Sequence, residues 1–402
     1  MKNRQLLSEW RQQARRGITF LALAAAIATA AAMALLRAST SAPNRPAAGE
    51  IVATGPMATR RSGHSATLLR NGEVLIAGGM VRNGEFVAQA ELYDPATGTF
   101  SSAGSMMSPR VGHTATLLRD GRVLIAGGSS RPYHDVGRAE VYDPTSGRFE
   151  TTGSLLTARS DAEAVLLPDG KVLITGGTAG PDSDRLASAE IYDPATGQFQ
   201  ATGSMSLVRV SFTMCALRDG RVLVTGGSVA GRYPNAELTA SAEIYDPARG
   251  RFTPAGSMMI ARHKHAAVLL ADGRVLIVGG SDRRDWRGKM DSAELYDPAT
   301  GKFADAGQMN EARFKLTNAV ARMPDGKVLI AGGAAHADIF DPASRRFRPV
   351  AGPAMEGRYF STATLLQDGR VLLAGGYGEN VEPSSNEAWI YIPDAKSAGQ
   401  VP

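Results

Sequence analysis

Residues 110–128 read RVGHTATLLRDGRVLIAGG, and residues 139–144 read AEVYDP. From Arg110 to Leu118 apolar and polar residues alternate, the period of a strand with one buried face. Arg119-Asp120-Gly121-Arg122 then interrupts two apolar runs. An Asp-Gly pair in that place predicts a tight hairpin with both turn residues at positive φ. Val123 to Ala126 is apolar throughout, as expected for a strand buried on both faces. Gly127-Gly128 ends it, and a loop of variable length follows. Ala139 to Asp143 makes a third strand, stopped by Pro144. Thr145-Ser146-Gly147 turns the chain into a fourth strand that carries Phe149 and closes at Gly153-Ser154-Leu155. Four strands joined by hairpins make one antiparallel sheet.

The pattern recurs along the chain. The Gly-Gly pair appears at 78–79, 127–128, 176–177, 226–227, 279–280, 332–333 and 375–376. One such sheet leaves both faces uncovered. Stacking the units radially covers them, and a closed ring protects the edges. The expected fold is therefore all-β, a seven-bladed propeller over residues 51–393 with a tail at 394–402. The seventh unit supplies strands at Ser361–Leu366, Val371–Ala374 and Trp389–Ile392, and no fourth strand follows. Residues 51–57 (IVATGPM) match the fourth-strand pattern of 100–106, with Ile51 in the aromatic slot. Strand 51–55 is thus expected to complete the last blade and close the ring.

These motifs resemble the Kelch repeat: Gly-Gly after an apolar strand, then Glu-x-Tyr-Asp-Pro, then an aromatic near the fourth strand. The resemblance covers all seven units. It implies a propeller, and it implies little about activity, because the family includes galactose oxidase, a periplasmic sialate epimerase (mutarotase) and protein-binding adaptors.

The chain has 402 residues, one Cys and a formal net charge of +5. A single Cys excludes a disulfide framework and a Cys-x-x-Cys metal site. The basic excess is local. Residues 1–50 carry seven basic and two acidic side chains, and the remaining 352 carry 37 of each. A nucleic-acid partner is not expected from this balance. Residues 1–17 form a basic n-region, and 18–36 (ITFLALAAAIATAAAMALL) contain no charge. This reads as a signal peptide, cleavable near Ala32-Met33-Ala34, or as an uncleaved inner-membrane anchor. Residues 37–50 read as a linker. Export to the periplasm or beyond is the expectation, with membrane contact only through 18–36.

One face of the propeller carries tight turns that hardly vary. The other carries loops of varied length and composition, the kind that usually hold binding sites. An arginine opens each innermost strand on that face: Arg61, Arg110, Arg159, Arg209, Arg262, Arg313 and Arg358. Seven guanidiniums around one mouth would favour carboxylate, phosphate or sulfate groups. In some Kelch adaptors, arginines at matching positions bind acidic peptide motifs, so the resemblance implies the same here. The competing reading is architectural, because Glu91, Glu140, Glu190, Glu243, Glu294 and Asp338 recur in the third strands as partners. The seventh blade has Trp389 in that slot, with Glu387 nearby.

Three units place a histidine three residues after the arginine: His64, His113 and His265. They read as strand histidines rather than metal ligands. Among the variable loops, Tyr133, His134, Tyr233 and Trp286 stand beside polar or cationic residues, an arrangement suited to sugar stacking or a protein contact. No P-loop, Gly-x-Ser-x-Gly elbow or His-Glu-x-x-His motif is present. No metal or other cofactor is expected. The reading is an exported module that binds a ligand, glycan or protein on its loop face. The alternative is a sugar-modifying enzyme similar to the sialate epimerase, which would need an acid–base pair at the central mouth.

Overall fold

The computed structural model describes residues 49–231, 235–355, 358–378 and 383–394. Seven antiparallel four-stranded sheets follow one another, with a few short hairpins in the connecting loops. Blade two is representative. Its strands run from the axis outward as Val111–Leu117, Val123–Arg131, Arg138–Asp143 and Arg148–Ser154. Blade seven has the order expected of a closed ring. Glu50–Ala53 pairs antiparallel with Ala388–Ile392, in the register Ile51 to Tyr391. The closing strand thus starts one residue earlier than the repeat alignment predicts and ends at Ala53.

The apolar second strand is buried on both faces because it has a neighbour on each side. Val123 and Ile125 pack toward Leu75 and Ala77 of blade one. Leu124 and Ala126 pack toward Val172 and Ile174 of blade three. Alternate side chains of one strand therefore serve two blade interfaces. Farther out, Tyr142 stands opposite Phe149, with ring centroids 4.9 Å apart. The same pair recurs in blades one to five, and blade six uses Phe340 and Phe347.

The Gly-Gly pairs form the interblade clasp. The second glycine N–H donates to the carbonyl of the next blade's arginine at every step: Gly79 to Arg110, Gly128 to Arg159, Gly177 to Arg209, Gly227 to Arg262, Gly280 to Arg313 and Gly333 to Arg358. Gly376 to Arg61, at 2.9 Å, completes the circle. A Cβ on Gly127 would lie 2.6 Å from the Arg159 carbonyl oxygen, so only glycine permits this approach.

The Asp-Gly hairpins differ from the expected turn type. Gly121 has φ +95°, while Asp120 is not at positive φ. Leu118 N–H bonds Arg122 O and Gly121 N–H bonds Leu118 O. This is a three-residue loop, a type I turn followed by a glycine bulge. Asp120 stays right-handed because its Oδ1 accepts the Arg122 N–H at 3.0 Å. The basic region, the apolar run 18–36 and most of the linker lie outside the described residues. Among the described residues no helix is long and apolar enough to cross a membrane.

Candidate functional site

The six arginines of blades one to six do not line the mouth. Arg61, Arg110, Arg159, Arg209, Arg262 and Arg313 are completely buried. Each points back into its own blade and pairs with the third-strand acid, for example Arg110 with Glu140 at 2.7 Å. In blades one to five Nη1 also donates to the first glycine of the Gly-Gly pair, and in blade six to Ile330 O and Gly332 O. In blades one to five the carboxylate's second oxygen accepts a backbone N–H from the preceding interblade link, as Glu140 does from Met107, and in blade six Asp338 accepts from the Asn310 side-chain amide instead. Burial draws the guanidinium pKa values down and the acids partly restore them. The ring of cations expected from the repeat is thus a ring of internal ion pairs. Arg358 is the variant: it bonds Glu387, which stands in for the missing acid, and lies 4.8 Å from the Trp389 ring centroid.

The histidines are structural as well. His113 Nε2 shares a hydrogen bond with Ser65 Oγ of the preceding blade at 3.0 Å. His64 meets Thr362, and His265 meets Thr213 and Thr225, in the same way. Burial first, then the nearby arginines, keeps all three neutral, His113 at about 3.

The mouth is built one residue earlier, two positions after each arginine. That slot holds Gly63, Gly112, Asp161, Ser211, Lys264, Lys315 and Phe360. All seven have φ between +52° and +65°. Backbone bonds run around the ring: Asp161 N to Gly112 O, Lys264 N to Ser211 O, Lys315 N to Lys264 O, Phe360 N to Lys315 O and Gly63 N to Phe360 O. Glycine adopts this conformation without strain, whereas other residues pay about 1–2 kcal/mol for it. Blades three, five and six nevertheless carry charged side chains there. This slot is what the sequence reading missed. Its signal was variation at one position inside an otherwise uniform motif.

Six of these ring residues, together with Glu163, His113 and Asn318, line a cavity of about 380 Å³. Below it a channel of about 310 Å³ follows the axis, and Glu163 faces both. The two walls differ in charge. On one side, burial and then Asp135 push the Asp161 carboxyl up to about 6, against the pull of Lys264. Burial and Asp161 push Glu163 up to about 8.

On the other side Lys264 and Phe360 line the cavity, and behind them Lys289 and Lys315 meet an aromatic cluster. Trp286 packs edge-on against Phe314 at 5.1 Å and Tyr359 at 4.7 Å, and Tyr359 and Phe360 both contact Tyr377. Lys264 Nζ bonds Asp285 at 2.8 Å, Lys289 bonds Tyr359 at 2.6 Å, and Lys315 bonds Tyr377 at 2.5 Å. Lys315 is only 7% exposed and lies within 5.7 Å of five ring centroids. Burial, reinforced by Lys264 and Lys289 and opposed by Asp285, brings its pKa down to about 7. Burial also raises Tyr377 above the ordinary phenol value.

Of the loop residues expected at the site, only Trp286 joins this cluster. Tyr133 is 63% exposed at a hairpin tip, and His134 bonds Arg131 beside it. Tyr233 lies outside the described residues. Farther out on the same face, Met107, Leu156, Leu207, Met259 and Ile260 are exposed in the interblade links.

A Kelch-motif profile matches residues 60–107, 164–206 and 262–310. No curated protein matches the chain by sequence. Among solved structures, a fungal alcohol oxidase of the AA5 family, determined in complex with copper, is similar. It has 21% identity and a TM-score of 0.66, over 88% of this chain and 79% of that one. At that identity the likeness concerns the fold. Among the described residues no group of three His, Cys, Asp or Glu side chains comes together that could hold a metal ion. The one thiol, Cys215, is buried on an inner strand and pushed up to about 12 by burial. The chain is a seven-bladed β-propeller that carries Kelch motifs over these three segments.

Proposed function

We propose that the protein is an extracytoplasmic binding module whose loop-face mouth takes an acidic, sugar-sized ligand. The observation that carries this reading is Lys264, which lines the 380 Å³ cavity together with Phe360 and is backed by Asp285, by Lys289 and Lys315 and by the aromatic rings packed around them. A desolvated cationic surface favours an anion, and the rings offer stacking to a sugar face. The exposed methionine, leucine and isoleucine residues around it would contact a macromolecule bearing that sugar. The chain enters the closing strand at Glu50, on the tight-turn face.

The test is calorimetry of the propeller with glucuronate, N-acetylneuraminate and glucose. Binding of the acids but not of glucose, lost in Lys264→Ala, is the expected result. Equal response to glucose, or no response to any of the three, would overturn the reading.

A second reading rests on a different observation. Asp161, in the ring, and Glu163, at the start of the strand that follows it, both line the cavity, with pKa values pushed to about 6 and about 8. Carboxyls driven apart in this way supply a base and an acid. A sugar epimerase or mutarotase would use them so. Anomer exchange of an acidic sugar followed by NMR, abolished in Glu163→Gln, would favour this reading over simple binding.

A further inference from the structure

Lys315 has features that anion binding alone does not require. Its amine is drawn inside a cage of Trp286, Phe314, Tyr359, Phe360 and Tyr377, with Trp286 the nearest ring at 4.4 Å. Among the described residues no carboxylate bonds it. Its hydrogen-bond partner is the Tyr377 hydroxyl, and the nearby acid, Asp285, is bonded to Lys264 instead. The residue sits in the mouth ring at φ +59°, a conformation that blades one and two satisfy with glycine. Desolvation among apolar groups beside other cations favours the neutral form of an amine, which is the nucleophilic form.

We propose that Lys315 is an imine-forming amine that captures a small aldehyde or ketone, above all one carrying a carboxylate, at the mouth of the propeller. The Nζ lone pair attacks the carbonyl carbon, and the C=O π pair moves to oxygen, giving a carbinolamine once a proton passes from nitrogen to oxygen. Tyr377, bonded to Nζ, protonates the departing hydroxyl. Water leaves as the nitrogen lone pair forms C=N, and loss of the N–H proton restores the tyrosine. The sum is amine plus carbonyl giving imine plus water, with no oxidant or metal. Lys264 and Lys289 would hold the carboxylate of an α-keto acid beside the reacting carbon. The substrate class rests on the anion-binding reading above, whereas the amine chemistry does not.

The experiment uses the whole propeller with pyruvate and, separately, acetaldehyde, each with cyanoborohydride at pH 7, followed by peptide mapping. Lys315 is expected to be labelled at least tenfold faster than exposed Lys302, with a rate that rises across pH 6 to 8. Lys315→Arg should remove the label while keeping the fold. Tyr377→Phe should slow labelling at unchanged melting temperature. Labelling by acetaldehyde without preference for pyruvate would keep the amine assignment and remove the anion site. Uniform labelling of surface lysines with Lys315 spared, or a rate at Lys315 that is flat with pH, would overturn the proposal.

Discussion

Replacing Glu140 by leucine tests whether the arginine ring is architecture. Glu140 is completely buried and does two things. Oε1 takes Arg110 Nη2 at 2.7 Å, and Oε2 accepts the Met107 N–H at 2.7 Å. The substitution leaves a guanidinium buried without its counter-charge, a loss of about 3–5 kcal/mol, and a backbone donor without an acceptor, about 1 kcal/mol more. Arg110 keeps its bonds to Gly127 O and Arg138 O, so the blade need not collapse. Urea unfolding, followed by both fluorescence and circular dichroism to verify one transition, should show destabilisation of about 4–6 kcal/mol. The double variant Arg110→Met with Glu140→Leu removes the stranded charge and should recover half of that loss or more. A single-variant loss below about 1 kcal/mol, or a double variant no better than the single, would refute the account. Loss of anion binding at unchanged stability would instead return these arginines to the ligand site.

Removing residues 49–57 takes away the strand that pairs with Ala388–Ile392 and should sharply lower the melting temperature. The milder Ile51→Ala, at a core position, should cost about 2–5 kcal/mol, and an unchanged midpoint in either would contradict closure by this strand. The three buried histidines predict acid sensitivity. Their unfolded imidazoles protonate near 6.5 while the folded ones resist to far lower pH, about 3 for His113, so the unfolded state binds more protons in that window. Stability is then full above about 6.5 and falls as pH drops, by up to about 1.4 kcal/mol per pH unit for each histidine. His113→Gln should flatten the slope measured by urea midpoints between pH 7 and 5, and an unchanged slope would count against it. Gly153 donates its N–H to Gly197 O of the next blade at 2.9 Å, and a Cβ there would run into that same oxygen. Gly153→Ala should therefore lower the melting temperature, whereas an exposed control such as Ser146→Ala should not.

Much of the fold was legible because each blade repeats the same local physics. Alternation in Arg110–Leu118, the apolar run Val123–Ala126 and the stop at Pro144 each state a strand or its end, and seven copies leave few ways to cover the faces. The match of 51–57 to 100–106 placed the closing strand in the last blade. The hairpin type was less accessible. Asp-Gly permits two turns, and the choice depends on how Asp120 bonds the following N–H.

The sequence by itself determined the all-β class, the blade count, the closure and the pairing of each arginine with an acid as one of two alternatives. Only the tertiary structure decided between those alternatives, because which way an arginine points from a strand end depends on what the Gly-Gly carbonyl and the third strand present to it. It also decided where the mouth lies. Asp161, Lys264, Lys315 and Phe360 lie 45 to 103 residues apart, each from the next, in the chain, and no local pattern links them. They meet because ring closure brings the same slot of successive blades around one axis, where left-handed backbone turns that slot toward the opening.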